Sequence, residues 1–321
     1  MGISTDYDMV IIGAGPAGMA AAIYGSRMGW KTLVLDKGAV GGLAATTPII
    51  ENYPGFSEIT GMEFAERLRK QAEKFGATIQ ELVEVSNIEC NKFPIKVITT
   101  SGEFSTKVVI IATGTNHRHL NISGESEFEG KGVSYCATCD GALYKNKKVA
   151  VVGGGNSAVT EALYLENVPA LKVYLIHRRD SLRAEESLQK QILHNSKVEL
   201  IWDTVIEEIE GNELDGVKRL RTRNIKTEDE DSLRVKALFV AIGIIPNNEL
   251  AKKIGIKLND NGLIIVDKNQ RTNIPRIYAA GDITPGQGQI SVAVGEGTTA
   301  AISAFLDMKG GDWYGQETKI G

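Results

Sequence analysis

A chain of 321 residues, 42% of them hydrophobic and 24% charged, has the composition of a soluble globular protein of about two domains. A net charge of −4, with basic and acidic residues interspersed, gives no basic stripe for nucleic acid, and no apolar run approaches the ~20 residues needed to span a bilayer. Three cysteines are too few for a secreted disulfide scaffold, and no charged-then-apolar leader precedes the strand pattern at Tyr7, so a cytoplasmic protein with thiol chemistry is expected.

The first element, YDMVIIGAGPAGMAAAIYGSRMGWKTLVLDK (7 to 37), runs from an apolar strand through a glycine turn and an Ala-rich helix to a second strand, a complete βαβ unit. Gly13, Gly15 and Gly18 spell G-x-G-x-x-G. The first allows a tight turn, the second lets backbone approach a pyrophosphate, and the third lets helix pack on strand. Asp36 stands 18 residues after Gly18, at the end of the second strand, where a carboxylate accepts hydrogen bonds from a ribose hydroxyl. This unit is expected to bind a dinucleotide.

Cys90 sits alone in a strand-like stretch and reads as a small buried apolar residue. Two later segments, EFSTKVVIIATGT (103 to 115) and SLRVKALFVAIGI (232 to 244), each pass from a polar hairpin-like stretch into an apolar strand. They point to an internal duplication.

Between them lies SYCATCDG, with Cys136 and Cys139 two residues apart and Asp140 next to them. A structural zinc site needs four ligands, and none of His117, His119, His177 and His194 repeats a ligand spacing after this pair. A C-x-x-C pair can close and reopen a small disulfide ring, and an adjacent carboxyl can move a proton to or from a departing thiolate. The pair is therefore read as a redox catalyst.

A second βαβ unit follows from Lys147, with the G-x-G-x-x-A variant at Gly153, Gly155 and Ala158. Where an acid would stand in an NAD site, the chain has HRRDSLR, with Arg178, Arg179 and Arg183. Guanidinium groups there attract a 2′-phosphate, so NADPH is preferred over NADH. The last segment, RIYAAGDITPGQGQISVAVGEGTTAAISAFL (276 to 306), reads as strand, Gly-Asp turn, loop and Ala-rich helix; it has no fingerprint of its own and completes one of the two domains.

The blocks GAGPAG, ENYPG, CATCDG, GGGNSA with HRRDSLR, and YAAGD occur in an order and spacing that resembles the low-molecular-weight thioredoxin reductases over essentially the whole chain. The resemblance implies an α/β fold of two Rossmann-like, three-layer nucleotide-binding domains, the second inserted into the first. Residues 1–116 and 246–321 would form the FAD domain, and 117–245 the NADPH domain carrying the C-x-x-C pair.

FAD would meet Gly13, Gly15, Pro16, Ala17, Gly18, Asp36, Lys37, Gly42, Leu43, Asn52, Val85, Ala112, Thr113, Gly114, Gly281, Asp282, Gln289 and Ile290. NADPH would meet Gly153, Gly155, Asn156, Ser157, Ala158, His177, Arg178, Arg179, Arg183, Ile242 and Gly243. Cys139 would lie against the flavin, Cys136 would attack the disulfide of a thioredoxin or glutaredoxin-like partner, and Asp140 would act as acid and base.

A homodimer is implied, as is rotation of the inserted domain about hinges near Thr115 to Arg118 and Gly243 to Asn247. Two departures from the family pattern touch FAD contacts: Leu43 in place of the Gln of GGQ, and Gly288 in place of the Arg before Gln289. Other readings of this architecture are a dithiol oxidase, a reductase fed by NADH, ferredoxin or a deazaflavin, and a nucleotide-binding sensor that turns nothing over.

Overall fold

The structure is a computed structural model that describes residues 5–47, 49–168, 170 and 172–310. The chain divides into two compact units, Met1–Asn116 with Pro246–Gly321, and His117–Ile245.

In the first unit the strand Tyr7–Ile12 pairs in parallel with Thr32–Leu35 on one side and with Gly102–Ile111 on the other. Thr78–Gln80 extends the sheet beyond Thr32–Leu35, and Ile277–Ala279 lies alongside the end of Gly102–Ile111, both parallel. These central strands read as nearly continuous apolar runs because both faces are covered. Met9 and Ile11 point into a core shared with the helices Pro16–Arg27 and Ile290–Lys309, whereas Val10 and Ile12 point into a second core with Ile256, Ile264 and Ile283.

The first half of Gly102–Ile111 continues into an antiparallel meander with Ile95–Thr99 and Val85–Glu89. Cys90 lies just past that last strand, half-buried against the second core rather than fully enclosed, because the chain has already left the sheet there.

The second unit repeats the plan. Lys148–Val152 is flanked by Lys172–Ile176 and then Val198–Ile201, and on its other side by Ala237–Val240 and then Val133–Ser134, all parallel. The helix Asn156–Asn167 shares one core with Val149 and Val151. Ala150 and Val152 face the antiparallel sheet of Thr204–Asn212, Gly216–Asn224 and Glu230–Arg234.

The two units differ in two ways. The segment that is one unbroken strand in the first unit is split in the second between Arg234 and Ala237, so the polar and apolar parts belong to different sheets. The fifth parallel strand follows the others in sequence in the first unit, at Ile277–Ala279, but precedes them in the second, at Val133–Ser134.

The two helices on the first unit's sheet touch almost backbone to backbone. A Cβ on Gly297 would stand 1.9 Å from the carbonyl oxygen of Ala17. Gly297→Ala should therefore lower the melting temperature with a cost of about 1–3 kcal/mol or more, since no side-chain movement relieves a clash with backbone. Gly295→Ala in the same helix meets nothing within 4 Å and should be neutral or stabilising by up to ~1 kcal/mol. Thermal melts of the two variants side by side check this.

Candidate active site

The strand Val133–Ser134 ends two residues before Cys136, which caps the one-turn helix Ala137–Asp140. The carbonyl of Cys136 accepts the N–H groups of Cys139 (3.2 Å) and Asp140 (3.1 Å), and its sulfur also accepts the Cys139 N–H at 3.2 Å. Positions i and i+3 share a face in such a turn, and here Cys136 and Cys139 are joined by a disulfide with their Cα atoms 5.3 Å apart. Ala137, fully buried, packs with Val159, Ala162 and Leu165 of the following helix.

Ser134 ties the turn to its acid. Its hydroxyl accepts the Cys136 N–H at 3.1 Å and donates to Asp140 Oδ2 at 2.6 Å. Burial raises the proton affinity of Asp140 above that of an ordinary aspartate, and the Ser134 hydroxyl works against that rise. A carboxyl lifted toward neutrality beside a disulfide is suited to proton transfer during thiol exchange.

Tyr135, between Ser134 and Cys136, stacks on His117 with ring centroids 4.7 Å apart. Its hydroxyl lies 2.7 Å from His119 Nδ1 and donates to Glu125 at 3.1 Å, while Glu125 accepts the N–H groups of Leu120 and Asn121. The sequence reading weighed these histidines only as zinc ligands and missed the cluster, which depends on ring placement and has no spacing rule.

At the first fingerprint, Gly13 has φ +109° and a Cβ there would stand 2.2 Å from the Ala112 oxygen; one on Gly18 would stand 1.8 Å from the Gly13 oxygen. Gly15 faces open space at the head of the helix that Pro16 begins. That opening, lined by amides, fits an anionic pyrophosphate. Asp36 bends back onto this turn, accepting the N–H groups of Ala14 (2.6 Å) and Gly38 (2.7 Å).

Lys37 is exposed beside Asp36, Gly42 lies against Gly15, and Leu43 starts the short helix Leu43–Thr46 with its side chain exposed. Val85 follows the segment whose Val83 N–H donates to the Asp36 carbonyl. Thr113 exchanges hydrogen bonds with Asn247, Oγ1 to carbonyl and carbonyl from Nδ2, both 2.8 Å, next to Gly114 at φ +63°.

Asn52, 237 residues from Gln289, donates to its Oε1 at 3.2 Å, just before Ile290 opens the last helix. The Gly281 N–H donates to Glu296 Oε2 at 2.8 Å, and burial raises the proton affinity of Asp282. Glu296 is a further residue that the sequence reading missed. These residues belong to one unit and fit FAD.

At the second fingerprint, a Cβ on Gly153 would stand 2.3 Å from the Ala241 oxygen, while Gly155 is open at the head of the helix started by Asn156, Ser157 and the buried Ala158. Asn156 pairs twice with Glu185, accepting its N–H and donating to its carboxylate. Ile242 and Gly243 follow the strand Ala237–Val240, and the Gly243 carbonyl accepts the Arg118 N–H.

His177 is buried with its Nε2 unpartnered, and burial, with the charges of Arg183 and Arg179, holds its imidazole below the usual histidine range. Arg178, Arg179 and Arg183 are exposed at this strand end; neighbouring Asp180 pairs with Lys226 at 2.9 Å rather than with them. An orphaned buried nitrogen beside exposed guanidinium groups fits a phosphorylated nucleotide. Among the described residues no helix is long and apolar enough to cross a membrane.

The profile of the family described as "Pyridine nucleotide-disulphide oxidoreductase" matches residues 7–297. The chain is 41% identical over 306 residues to a thioredoxin reductase of Listeria monocytogenes, covering 93% of this chain and 92% of that protein. It is 40% identical to one of Bacillus subtilis, covering 92% and 93%. The crystal structure of thioredoxin reductase from Streptococcus pyogenes superposes with a TM-score of 0.90 at 40% identity, over 95% of this chain and 99% of that one. Thioredoxin reductases of this family use FAD and NADPH.

With a closed C-x-x-C disulfide and similarity along almost its entire length, the chain belongs to the pyridine nucleotide-disulphide oxidoreductase family, as a flavoprotein disulfide oxidoreductase of the thioredoxin reductase type.

Proposed function

We propose that this protein passes electrons from NADPH, through FAD, to the Cys136–Cys139 disulfide and on to the disulfide of a thioredoxin or thioredoxin-like protein, as a homodimer in the cytoplasm. The observation that carries the reading is the disulfide itself, formed in a turn whose amides hold Cys136 and whose Ser134 reaches the half-buried Asp140. In this reading the unit Met1–Asn116 with Pro246–Gly321 is the FAD domain, and His117–Ile245 is the NADPH domain. A net charge of −4 and the lack of a membrane-crossing helix among the described residues favour a small protein partner over nucleic acid or membrane.

FAD supplies a carrier that takes an electron pair from NADPH and gives it to a disulfide. The chain's residues do the rest. Gly13, Gly15 and Gly18 would seat the pyrophosphate at a helix start, Asp36 would take the ribose, and Gly281 with Asp282 would lie at the flavin ribitol and pyrophosphate. Arg178, Arg179 and Arg183 take the 2′-phosphate of NADPH, and His177 completes that pocket.

Once the disulfide is open, the Cys136 thiolate attacks one sulfur of the partner's disulfide and forms a mixed disulfide, and the partner's other sulfur leaves. Cys139 then attacks Cys136, closing the intramolecular bond and freeing the partner as a dithiol. Asp140 gives the proton that the departing sulfur needs and takes one back from the attacking thiol.

A coupled assay with NADPH, the purified flavoprotein and thioredoxin tests the whole reading, with loss of thioredoxin reduction in Cys136→Ser as the expected outcome. That variant should still let NADPH bleach the flavin, and retention of full reductase activity would sink the assigned nucleophile.

Arg178→Ala or Arg183→Ala should raise KM for NADPH roughly 10- to 100-fold, the scale of one charge-assisted hydrogen bond, and leave the KM for NADH nearly unchanged. Steady-state kinetics with both nucleotides decide this.

Ser134→Ala removes the donor that opposes the upward shift of Asp140. The acid limb of the pH–rate profile for disulfide exchange should then move to higher pH, as followed in single-turnover reduction of thioredoxin.

A further inference from the structure

Beside the three arginines of the second fingerprint stand two carboxylates. Asp180 follows Arg179 directly and precedes Arg183 by three residues. Asp203 donates its backbone N–H to the Arg179 carbonyl at 3.2 Å, next to Thr204, whose N–H donates to the His177 carbonyl at 3.0 Å. A carboxylate that reached the guanidinium groups would fill their donors in the same planar way as a 2′-phosphate. Neither does so, because one lysine takes both.

Lys226 Nζ donates to Asp180 Oδ2 at 2.9 Å and lies 3.1 Å from Asp203 Oδ1. It belongs to the turn between the antiparallel strands Gly216–Asn224 and Glu230–Arg234, 46 residues from Asp180 in the chain. The turn fixes its backbone. Asn224 Oδ1 accepts the N–H groups of Lys226 (2.9 Å) and Thr227 (3.1 Å), and the Ile225 N–H donates to the Asp203 carbonyl at 2.7 Å. Two other nearby acids are engaged elsewhere: Glu228 of the same turn pairs with Arg223, and Glu185, two residues past Arg183, accepts Asn156 Nδ2 at 2.9 Å. Among the described residues no carboxylate pairs with Arg178, Arg179 or Arg183. All of these residues lie in one unit, His117–Ile245.

We propose that Lys226 is a positioning residue for nucleotide selection: by holding the Asp180 and Asp203 carboxylates it leaves Arg178, Arg179 and Arg183 to a 2′-phosphate, and so favours NADPH over NADH. The proposal rests on the assignment of those arginines to the 2′-phosphate.

The pairing is mutual. Hydrogen bonds to Asp180 and Asp203 hold the Lys226 ammonium above its usual range, and Lys226 holds the Asp180 carboxyl below its own. Without the ammonium, two negative charges would compete with the phosphate for the guanidinium groups and repel it. A nucleotide with no 2′-phosphate meets neither effect. Lys226 and Asp180 are both exposed, and such a pair contributes little to folding, so its removal acts on selection rather than on the fold.

The test is calorimetric titration of the oxidised holoprotein with adenosine 2′,5′-bisphosphate and with AMP, which differ only in the 2′-phosphate. Wild type should bind the bisphosphate more tightly. Lys226→Met keeps the aliphatic stem and removes the charge. Its affinity for the bisphosphate should fall roughly three- to tenfold, with that for AMP unchanged. Asp180→Asn added to Lys226→Met should restore most of the loss.

An equal loss for both ligands would mark a structural role, and a loss that Asp180→Asn does not restore would make Lys226 a direct contact of the phosphate. Either result overturns the proposal, as would unchanged affinities. Neither turnover nor thioredoxin enters the titration. A wild type that binds AMP and the bisphosphate alike would instead count against the 2′-phosphate assignment, and the proposal would fall with it.

Discussion

Two sulfurs can exchange a bond repeatedly only if the backbone carrying them does not collapse when the bond opens. Here that backbone is held by its own amides. The Cys136 carbonyl takes two of them and Ser134 takes a third. A buried amide left unpaired would cost about 1–3 kcal/mol, so these bonds hold the turn alongside the disulfide. The turn's own inward side chain is small: Ala137 is fully buried against the next helix, and anything larger would push the turn off its partners.

The turn's position follows from the permuted fifth strand. In the first unit the strand Ile277–Ala279 delivers Gly281 and Asp282 to the carboxyl end of a parallel sheet. In the second unit the equivalent strand, Val133–Ser134, delivers Cys136 and its helix to the corresponding edge. Ligands of open α/β sheets gather at such edges, because the strand ends and helix starts leave amides pointing outward. The same edge thus presents a half-buried carboxyl in one unit and a disulfide in the other.

What could be read from the sequence was whatever the local chain alone decides. Gly13, Gly18 and Gly153 are glycines because a neighbouring backbone oxygen lies where a Cβ would be, and that constraint is written at fixed spacing. The C-x-x-C pair is legible for a similar reason, since one helical turn joins its sulfurs. Contacts made by packing leave no such trace. Asn52 finds Gln289 across the length of the chain, and Glu296 takes the Gly281 amide. The split between Arg234 and Ala237 was invisible too, as both parts have strand composition and only the sheet each joins tells them apart.

The charges divide by task. The three arginines at the second fingerprint are exposed and are left without the neighbouring Asp180, so they remain available to a phosphate. The carboxyl at the redox turn is the reverse: Asp140 is half-buried, and its proton affinity is raised by that burial. Recognition of a nucleotide needs a fixed charge, whereas exchange of sulfur bonds needs protons that come and go near neutrality. Burial that would be a plain cost for a structural acid is, beside Cys136 and Cys139, what raises the acid's hold on a proton used in exchange.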